Sequence, residues 1–474
     1  MPVNTEHPDW TANAPLWKKC RDASEGQEAV HAAGKEYLPV LSEQNGTEYA
    51  AYLARTLYFN ATGRTLDGMT GMMFRRPPEN EVPAAVSYLL DDVDTAGTPL
   101  IAFEEKAVEE LVKQGRFALL ADFPPVQPGA TLADAQSIGA RPLAKLYCAE
   151  YIINWRTTRV ANRTMLSLVV LVETHEDDSD PFVTIKIPQW RILRLVDGSY
   201  TVEIWRLLDA KAEPVLIDSY VPLMGNSPMA FIPIVIAGPM GSGAEVQKPP
   251  LLALANVNLS HYRSTADYEH GLHFTGLPTP YVTGHTFEPG QKFALGSTEV
   301  KAFPNEAAKP GFMEFAGTGL GALSTRLSEK EQMMVALGAR MLANPTRGIE
   351  SAETAQIHRA GENSVLASIS NSASSALSQV LTWCAMWAGV QEPVKVRLNT
   401  DFMPAGMTAQ ELQALVAAWQ SSAISFDTLH DNLSRGEIST RTAEEERDLI
   451  DAEGPPLGAL TEPGLQPEDN AKGE

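Results

Sequence analysis

Residues 251–274 read LLALANVNLSHYRSTADYEHGLHF. Leu252, Ala255, Leu259, Tyr262, Ala266, Glu269 and His273 recur at spacings of three and four, which predicts one helix face about 36 Å long at about 1.5 Å per residue. The stripe is thin and mixed, so this helix cannot bury a broad apolar face. A second long helix is expected from about Leu320 to Leu342, with Leu320, Leu323, Leu327, Met334, Leu337 and Met341 at near-heptad spacing. Lys330 interrupts that seam, which suggests packing against neighbours rather than a free two-stranded coil. Asn344-Pro345-Thr346-Arg347-Gly348 stops the second helix. A third is expected to begin near Ser351, with Glu353 in its first turn where the helix dipole favours an acid, and to reach about Ala388. Between Ala360 and Gln379, 12 of 20 residues are Ala, Gly or Ser. Small residues let other backbones approach closely, and they suit a crowded intrachain core and a helix packed among symmetry copies equally well.

Working outward, the first 120 residues read mainly as helices, including Thr47 to about Asn60 and Phe103 to Gln114, separated by the break Arg75-Arg76-Pro77-Pro78. From about 166 to 236 the pattern changes to short β-rich runs, among them Ser167–Val172, Phe182–Ile187, Arg191–Val196, Tyr200–Leu207, Val215–Val221 and Phe231–Ile236. Asp197-Gly198 between two of these is a hairpin signal, because a two-residue primed turn needs positive φ. Pro278 to Phe315, rich in Gly and Pro, reads as a short strand-and-turn region. Smaller helices are expected at Thr408–Gln420, Phe426–Asn432 and Thr442–Ile450, followed by a disordered tail from Asp451. The fold class expected is α+β, mainly helical.

At 474 residues and 44% hydrophobic content the chain can bury several cores. Cys20, Cys148 and Cys384 are widely spaced and offer neither a disulfide framework nor a zinc knuckle, as suits a reducing cytoplasm. The start, Met1-Pro2-Val3-Asn4, lacks a basic and an apolar signal region. The most apolar runs, Leu166–Val172 and Met229–Ala237, fall short of the roughly 20 residues of a membrane helix, so a soluble protein is expected. The net charge is −22. From Asp401 onward 15 acids face 4 bases, a net of −11. Conventional nucleic-acid binders present clustered Lys and Arg instead. Such acidity aids solubility, and it would also repel a polyanion that has to pass without sticking.

Candidate chemical motifs each meet an objection. Gly317-Thr318-Gly319-Leu320-Gly321-Ala322 satisfies GxGxxA after a strand-like run and before a helix, as a dinucleotide-binding oxidoreductase requires. Yet no second parallel strand with an acidic end follows. Gly238 to Gly243 resembles a phosphate loop, but Lys248 precedes Pro249-Pro250 rather than Ser or Thr. His261, His270 and His273 share the first long helix, and Glu269-His270-Gly271-Leu272-His273 is not the zincin order, so they are expected on the helix surface. Acid clusters at Asp91-Asp92-Asp94 and Asp177-Asp178-Asp180 are expected in solvated loops. No nucleophilic triad can be assembled, and neither catalysis, a metal nor a cofactor is expected.

Several segments resemble a portal-like family of tailed bacteriophages, first catalogued as a domain of unknown function. They are Tyr37-Leu38-Pro39, Glu48-Tyr49, Tyr52, Arg55, Asn60, Gly63-Arg64-Thr65, Gly68, Gly71 and Phe74-Arg75-Arg76-Pro77-Pro78, then His261 through His270, and Leu337-Gly338-Ala339-Arg340. They run in order over roughly residues 35–390. The resemblance implies a ring subunit with a helical and β wing at 1–250, stem helices at 251–275 and 318–342 and a clip at 276–317. It also implies a tunnel loop at 343–350, a long wing-spanning helix at 351–390, a helical crown at 391–450 and a tail at 451–474. Tyr262, Arg263, Asp267, Arg326 and Lys330 would lie on the stem, and Asn344, Pro345, Thr346, Arg347 and Gly348 on the tunnel loop beside passing DNA. The implied assembly is a dodecamer at the capsid vertex of a virion, made in the bacterial cytoplasm. Its partners would be the terminase, a tail adaptor, capsid proteins and weakly contacted double-stranded DNA. A non-enzymatic phage scaffold protein is the alternative of the same kind.

Overall fold

The computed structural model describes residues 2–123, 140–208, 213–225, 227–276, 279–284, 307–313, 317–338, 352–400, 402, 409–435, 439 and 441–453. These fall into two units, residues 1–400 and 401–474. The chain is α+β, with more helix than strand. In the first unit the N-terminal helices are α1 (Pro8–Glu25), α2 (Gln27–Ala33), α3 (Gly46–Arg55), α4 (Ala61–Met73), α5 (Tyr88–Asp91) and α6 (Leu100–Gln114). The strands before the long helices are β1 (Glu79–Glu81), β2 (Phe117–Asp122), β3 (Leu143–Cys148), β4 (Ile152–Val160), β5 (Arg163–Asp180), β6 (Val183–Val196), β7 (Ser199–Arg206), β8 (Val215–Tyr220), β9 (Leu223–Met224), β10 (Ser227–Pro228), β11 (Ile234–Gly238) and β12 (Gly241–Ser242).

The expected β module at 166–236 is corrected in two ways. Strands β4 to β8 form a five-stranded antiparallel meander that begins at Ile152, and β11 belongs to a separate sheet ordered β12-β11-β2-β3. All six residues of β2 are buried. A strand covered on both faces loses the polar alternation that marks it in sequence, so Phe117–Asp122 hides among helices. Ala118 and Leu120 enter the cluster between the two sheets with Ile152, Trp155, Val169, Leu171, Leu193, Val202, Ile234 and Ile236. Each fully buried aliphatic side chain there contributes roughly 1.5–3 kcal/mol. The opposite face of β2 carries Phe117, Leu119 and Ala121, toward α6 and the third long helix.

The Asp197-Gly198 turn forms as expected, with φ 49° and 80°, and joins β6 to β7. The expected runs Phe182–Ile187 and Arg191–Val196 are one strand, β6, through Pro188. The Pro188 carbonyl accepts from Leu207 N at 3.4 Å on the β7 side, where the ladder ends at Gln189–Arg206. The missing N–H therefore forfeits no regular rung. Asp177 and Asp180 also depart from the loop expectation. They stand in β5, opposite Ile185 and Val183, because cross-strand pairing outweighs their weak strand preference.

Beyond the sheets come α7 (Leu252–Gly276), β13 (Thr279–Thr283), β14 (Lys309–Met313), α8 (Thr318–Ala336), α9 (Ala352–Trp387) and β15 (Lys395–Arg397). Helix α8 stops earlier than the expected Leu342, because Gly338 follows it in a left-handed conformation. Strand β15 pairs with β1, so residues 391–400 belong to the first unit. The small-residue stretch in α9 resolves as intrachain packing from Leu366 onward. Leu366, Ile369, Ala373, Ala376, Leu377, Val380 and Leu381 are buried, and the Ser368 and Ser372 hydroxyls donate to the Pro239 and Gly238 carbonyls at 2.9 and 2.7 Å. The second unit contains α10 (Ala409–Gln420), α11 (Phe426–Arg435) and α12 (Ala443–Glu453). Helix α12 carries regular structure past the expected tail start at Asp451, and residues 454–474 lie outside the described ones.

Candidate functional site

Helices α7 and α8 and the β13–β14 hairpin form one construction. Leu320 Cδ2 lies 2.7 Å from where a Cβ on Gly271 would stand, while Lys330 reaches Ser260 and Ser264. As α8 advances from 320 to 330 its partners on α7 move back from 271 toward 260, so the helices run antiparallel. Gly271 costs the helix about 1 kcal/mol relative to Ala, and its missing side chain is what lets Leu320 approach. The hairpin pairs Thr279 with Met313 through Thr283 with Lys309, directly between the two helices.

The proximal half of α7 is anchored in the first unit. Tyr262 is fully buried with Val30, Tyr37, Leu38, Tyr52, Tyr58, Leu259 and Ala266. Asn258 holds the start of α4, accepting from Thr62 N and Oγ1 at 3.0 and 2.8 Å and donating to the Phe59 carbonyl at 2.8 Å. Asp267 accepts from the Tyr52 hydroxyl at 2.7 Å. Beyond this point the environment changes. No described side chain is buried from Asp267 to Gly276 or from Gly317 to Glu329. Leu272, Phe274, Tyr281, Phe312, Met333 and Leu337 are large apolar side chains left exposed on these elements, Phe312 at 59%. Scattered exposed apolar residues are ordinary, but six on one helix pair and its hairpin mark a surface suited to a partner.

The expected stem residues thus divide. Tyr262 is core. Arg263 is exposed and its Nε donates back to the Leu259 carbonyl at 3.3 Å, while Arg326 is exposed and paired with Glu329 at 2.7 Å. Lys330 is 7% exposed and donates to the Ser260 carbonyl at 2.8 Å and the Ser264 hydroxyl at 2.6 Å. Its interruption of the apolar seam is therefore satisfied inside the chain. Burial, then the nearby Arg326 and Arg263 charges, hold its pKa below the ordinary lysine value. His261 corrects the surface expectation. It is buried with its Nε2 3.5 Å from Glu331 on α8, and burial pulls its pKa down. His270 stacks edge-on against Tyr52 and Phe274. Among the described residues no three His, Cys, Asp or Glu side chains converge as a metal site. No described helix is long and apolar enough to cross a membrane. The tunnel-loop candidates Asn344, Pro345, Thr346, Arg347 and Gly348 lie outside the described residues.

The Gly317 motif lacks the setting of a dinucleotide fold. The strand before it, β14, pairs antiparallel with β13 in a two-stranded hairpin, whereas the fingerprint needs a parallel βαβ unit. Gly317 caps α8 in a left-handed conformation, with Thr275 and Leu320 beside it. Sequence reading missed three features of the site: Gly271, the Tyr52–Asp267 tie, and the seat of Lys330. Only Gly271 carried a local signal, since a glycine inside a helix usually marks close packing.

A family model described as a domain of unknown function (DUF4055) matches residues 250–388, the span from α7 through α9. No curated protein matches the chain. Among solved structures it is similar to a chain of the virion of a native gene transfer agent (GTA) particle, at 11% identity and a TM-score of 0.39, over 87% of this chain and 99% of that one. It is also similar to a chain of the neck of the native GTA particle computed with C12 symmetry, at 13% identity and 0.35, over 79% of this chain and 89% of that one. A chain of the neck of the empty GTA particle computed with C6 symmetry gives 12% identity and 0.38, over 87% and 99%. At these TM-scores the likeness does not establish a shared fold.

Proposed function

We propose that this chain is a non-enzymatic structural subunit of a phage-like virion, a portal protein. Copies assemble into a homo-oligomeric ring at the capsid vertex, and double-stranded DNA is packaged and ejected through the axial channel. The observation that carries the reading is the α7–hairpin–α8 construction. It is anchored at Tyr262, Asn258 and Asp267, and no described side chain is buried over its outer half. A monomer gains nothing from extending two helices whose apolar residues stay wet, whereas a ring buries them against neighbouring copies.

The collinear resemblance of residues 35–390 to portal-like sequences supports the same reading. In it α7 and α8 are the stem, the hairpin belongs to the clip that meets the terminase and later the tail adaptor, and α9 spans the wing. Arg347, the sole basic residue of 343–350, approaches the DNA backbone transiently. The excess of acids keeps DNA from dwelling on the wall. Size-exclusion chromatography with negative-stain imaging tests the proposal. Rings with an axial opening are expected, and a monomer under every assembly condition would overturn it.

A further inference from the structure

Strands β5 and β6 outrun their sheet. The β4 ladder leaves β5 at Leu171 and the β7 ladder leaves β6 at Gln189, so the two strands continue alone as a ribbon to the Pro181-Phe182 turn. Every residue from Pro181 to Lys186 is exposed, Phe182 at 94%. One ribbon face carries Val183, Ile185 and Ile187 with Asp180, Asp177 and His175 opposite them. Apolar groups alternating with acids on an uncovered face call for a partner that is itself part apolar and part basic.

That counterpart stands at the other end of β5. The β4–β5 hairpin carries exposed Arg156, Arg159 and Arg163, the first and last on the face of exposed Val160 and Arg159 on the other, and no acid occurs between Tyr151 and Val172. None of the three arginines has an acidic partner among the described residues. Arg163 and Asp177 are separated by about 46 Å of strand at roughly 3.3 Å per residue. This is several times the ~8 Å Debye length at physiological salt. The basic and acidic ends of one copy therefore cannot neutralise each other.

We infer that the β5–β6 ribbon tip of one copy docks on the β4–β5 hairpin of the next. Phe182, Val183 and Ile185 cover Val160, and Asp177 and Asp180 meet Arg163 and Arg156, which share the Val160 face of the hairpin. Because the two patches lie at opposite ends of the same strand, the contact is head-to-tail, the kind that closes rings rather than pairs. The inference rests on the ring reading above and adds the surface that joins neighbours.

The test uses two full-length variants, Asp177→Lys with Asp180→Lys, and Arg156→Glu with Arg163→Glu. In each, like charges face one another between identical copies, and the concentration at half-assembly rises by at least about tenfold. An equimolar mixture of the two variants restores complementary contacts and brings assembly back, which two misfolded proteins could not do. If both variants assemble at the wild-type concentration, the docking inference fails while the ring reading stands. If both are defective and mixing restores nothing, the docking inference also fails. If the wild-type protein never assembles, the ring reading fails and takes this inference with it.

Discussion

Lys330 on α8 donates to the Ser264 hydroxyl of α7 at 2.6 Å, and its second bond, 2.8 Å to the Ser260 carbonyl, fixes the ammonium in the interhelical groove. An ammonium thus fastens two helices at a position where a heptad seam would hold an apolar knob. Hydrogen bonds to a charged group are worth about 1.5–3 kcal/mol, offset here by the cost of burying the charge. Lys330→Met keeps the stem of the side chain, so its stability in urea should stay within about 1 kcal/mol of wild type. Lys330→Ala removes stem and bonds together and should lose about 2 kcal/mol. Equal midpoints for wild type and the alanine variant would show that the groove does not depend on Lys330.

Glu104 on α6 is fully buried, with the Asn80 side chain of β1 beside its carboxylate. Burial pushes its pKa up to about 7, with Asn80 opposing. Because the folded value is raised above the ordinary 4.5, its contribution is fully present below pH 4.5 and is lost as pH rises through about 7. Glu104→Gln removes that titration. The stability difference between variant and wild type should grow in the variant's favour from pH 4.5 to 8, by up to about 3 kcal/mol. A difference that does not vary with pH would contradict this.

Arg191 on β6 binds Asp122 at 3.1 Å and Glu173 at 2.9 Å, joining the two sheets through a buried ionic network. Burial alone would raise the Glu173 pKa, but the Arg191 guanidinium and the Tyr147 hydroxyl hold it below the ordinary carboxylate value. Arg191→Met leaves Asp122 with Lys145 at 3.0 Å and Glu173 with the Tyr147 and Gln189 hydrogen bonds, and should cost about 3 kcal/mol. Triple replacement of Arg191, Asp122 and Glu173 by apolar residues should recover most of the loss, as chemical denaturation would report. A single variant as stable as wild type would show the network to be idle.

The assembled ring should bind short duplex DNA weakly even at low salt. Each copy carries −22, half of it beyond residue 400, and a surface unable to replace the counterions condensed on DNA gains nothing from their release. Fluorescence anisotropy should show little binding. Tight, steeply salt-dependent binding would mean that basic groups line the channel.

How much of this was legible depended on whether the signal was local. The face of α7 could be read because Ala255, Leu259, Tyr262 and Ala266 repeat with helical period and are all buried. Asp197-Gly198 could be read because the turn needs positive φ at both residues. Phe117–Asp122 could not, since burial on both faces erased its alternation. The strand character of Asp177 depends on Ile185 across the ribbon, and the seat of Lys330 depends on two serines 66 and 70 residues away. The small residues of α9 were compatible with two environments until the Ser372–Gly238 bond placed them against the sheet.

Native mass measurement of the purified, assembled protein decides whether identical copies close into the proposed ring around a channel. One discrete species is expected, about 617 kDa if twelve copies of 51.4 kDa assemble, with an axial opening in images of the same sample. A single 51.4 kDa species at every concentration, or an open series of oligomers with no preferred size, would contradict it.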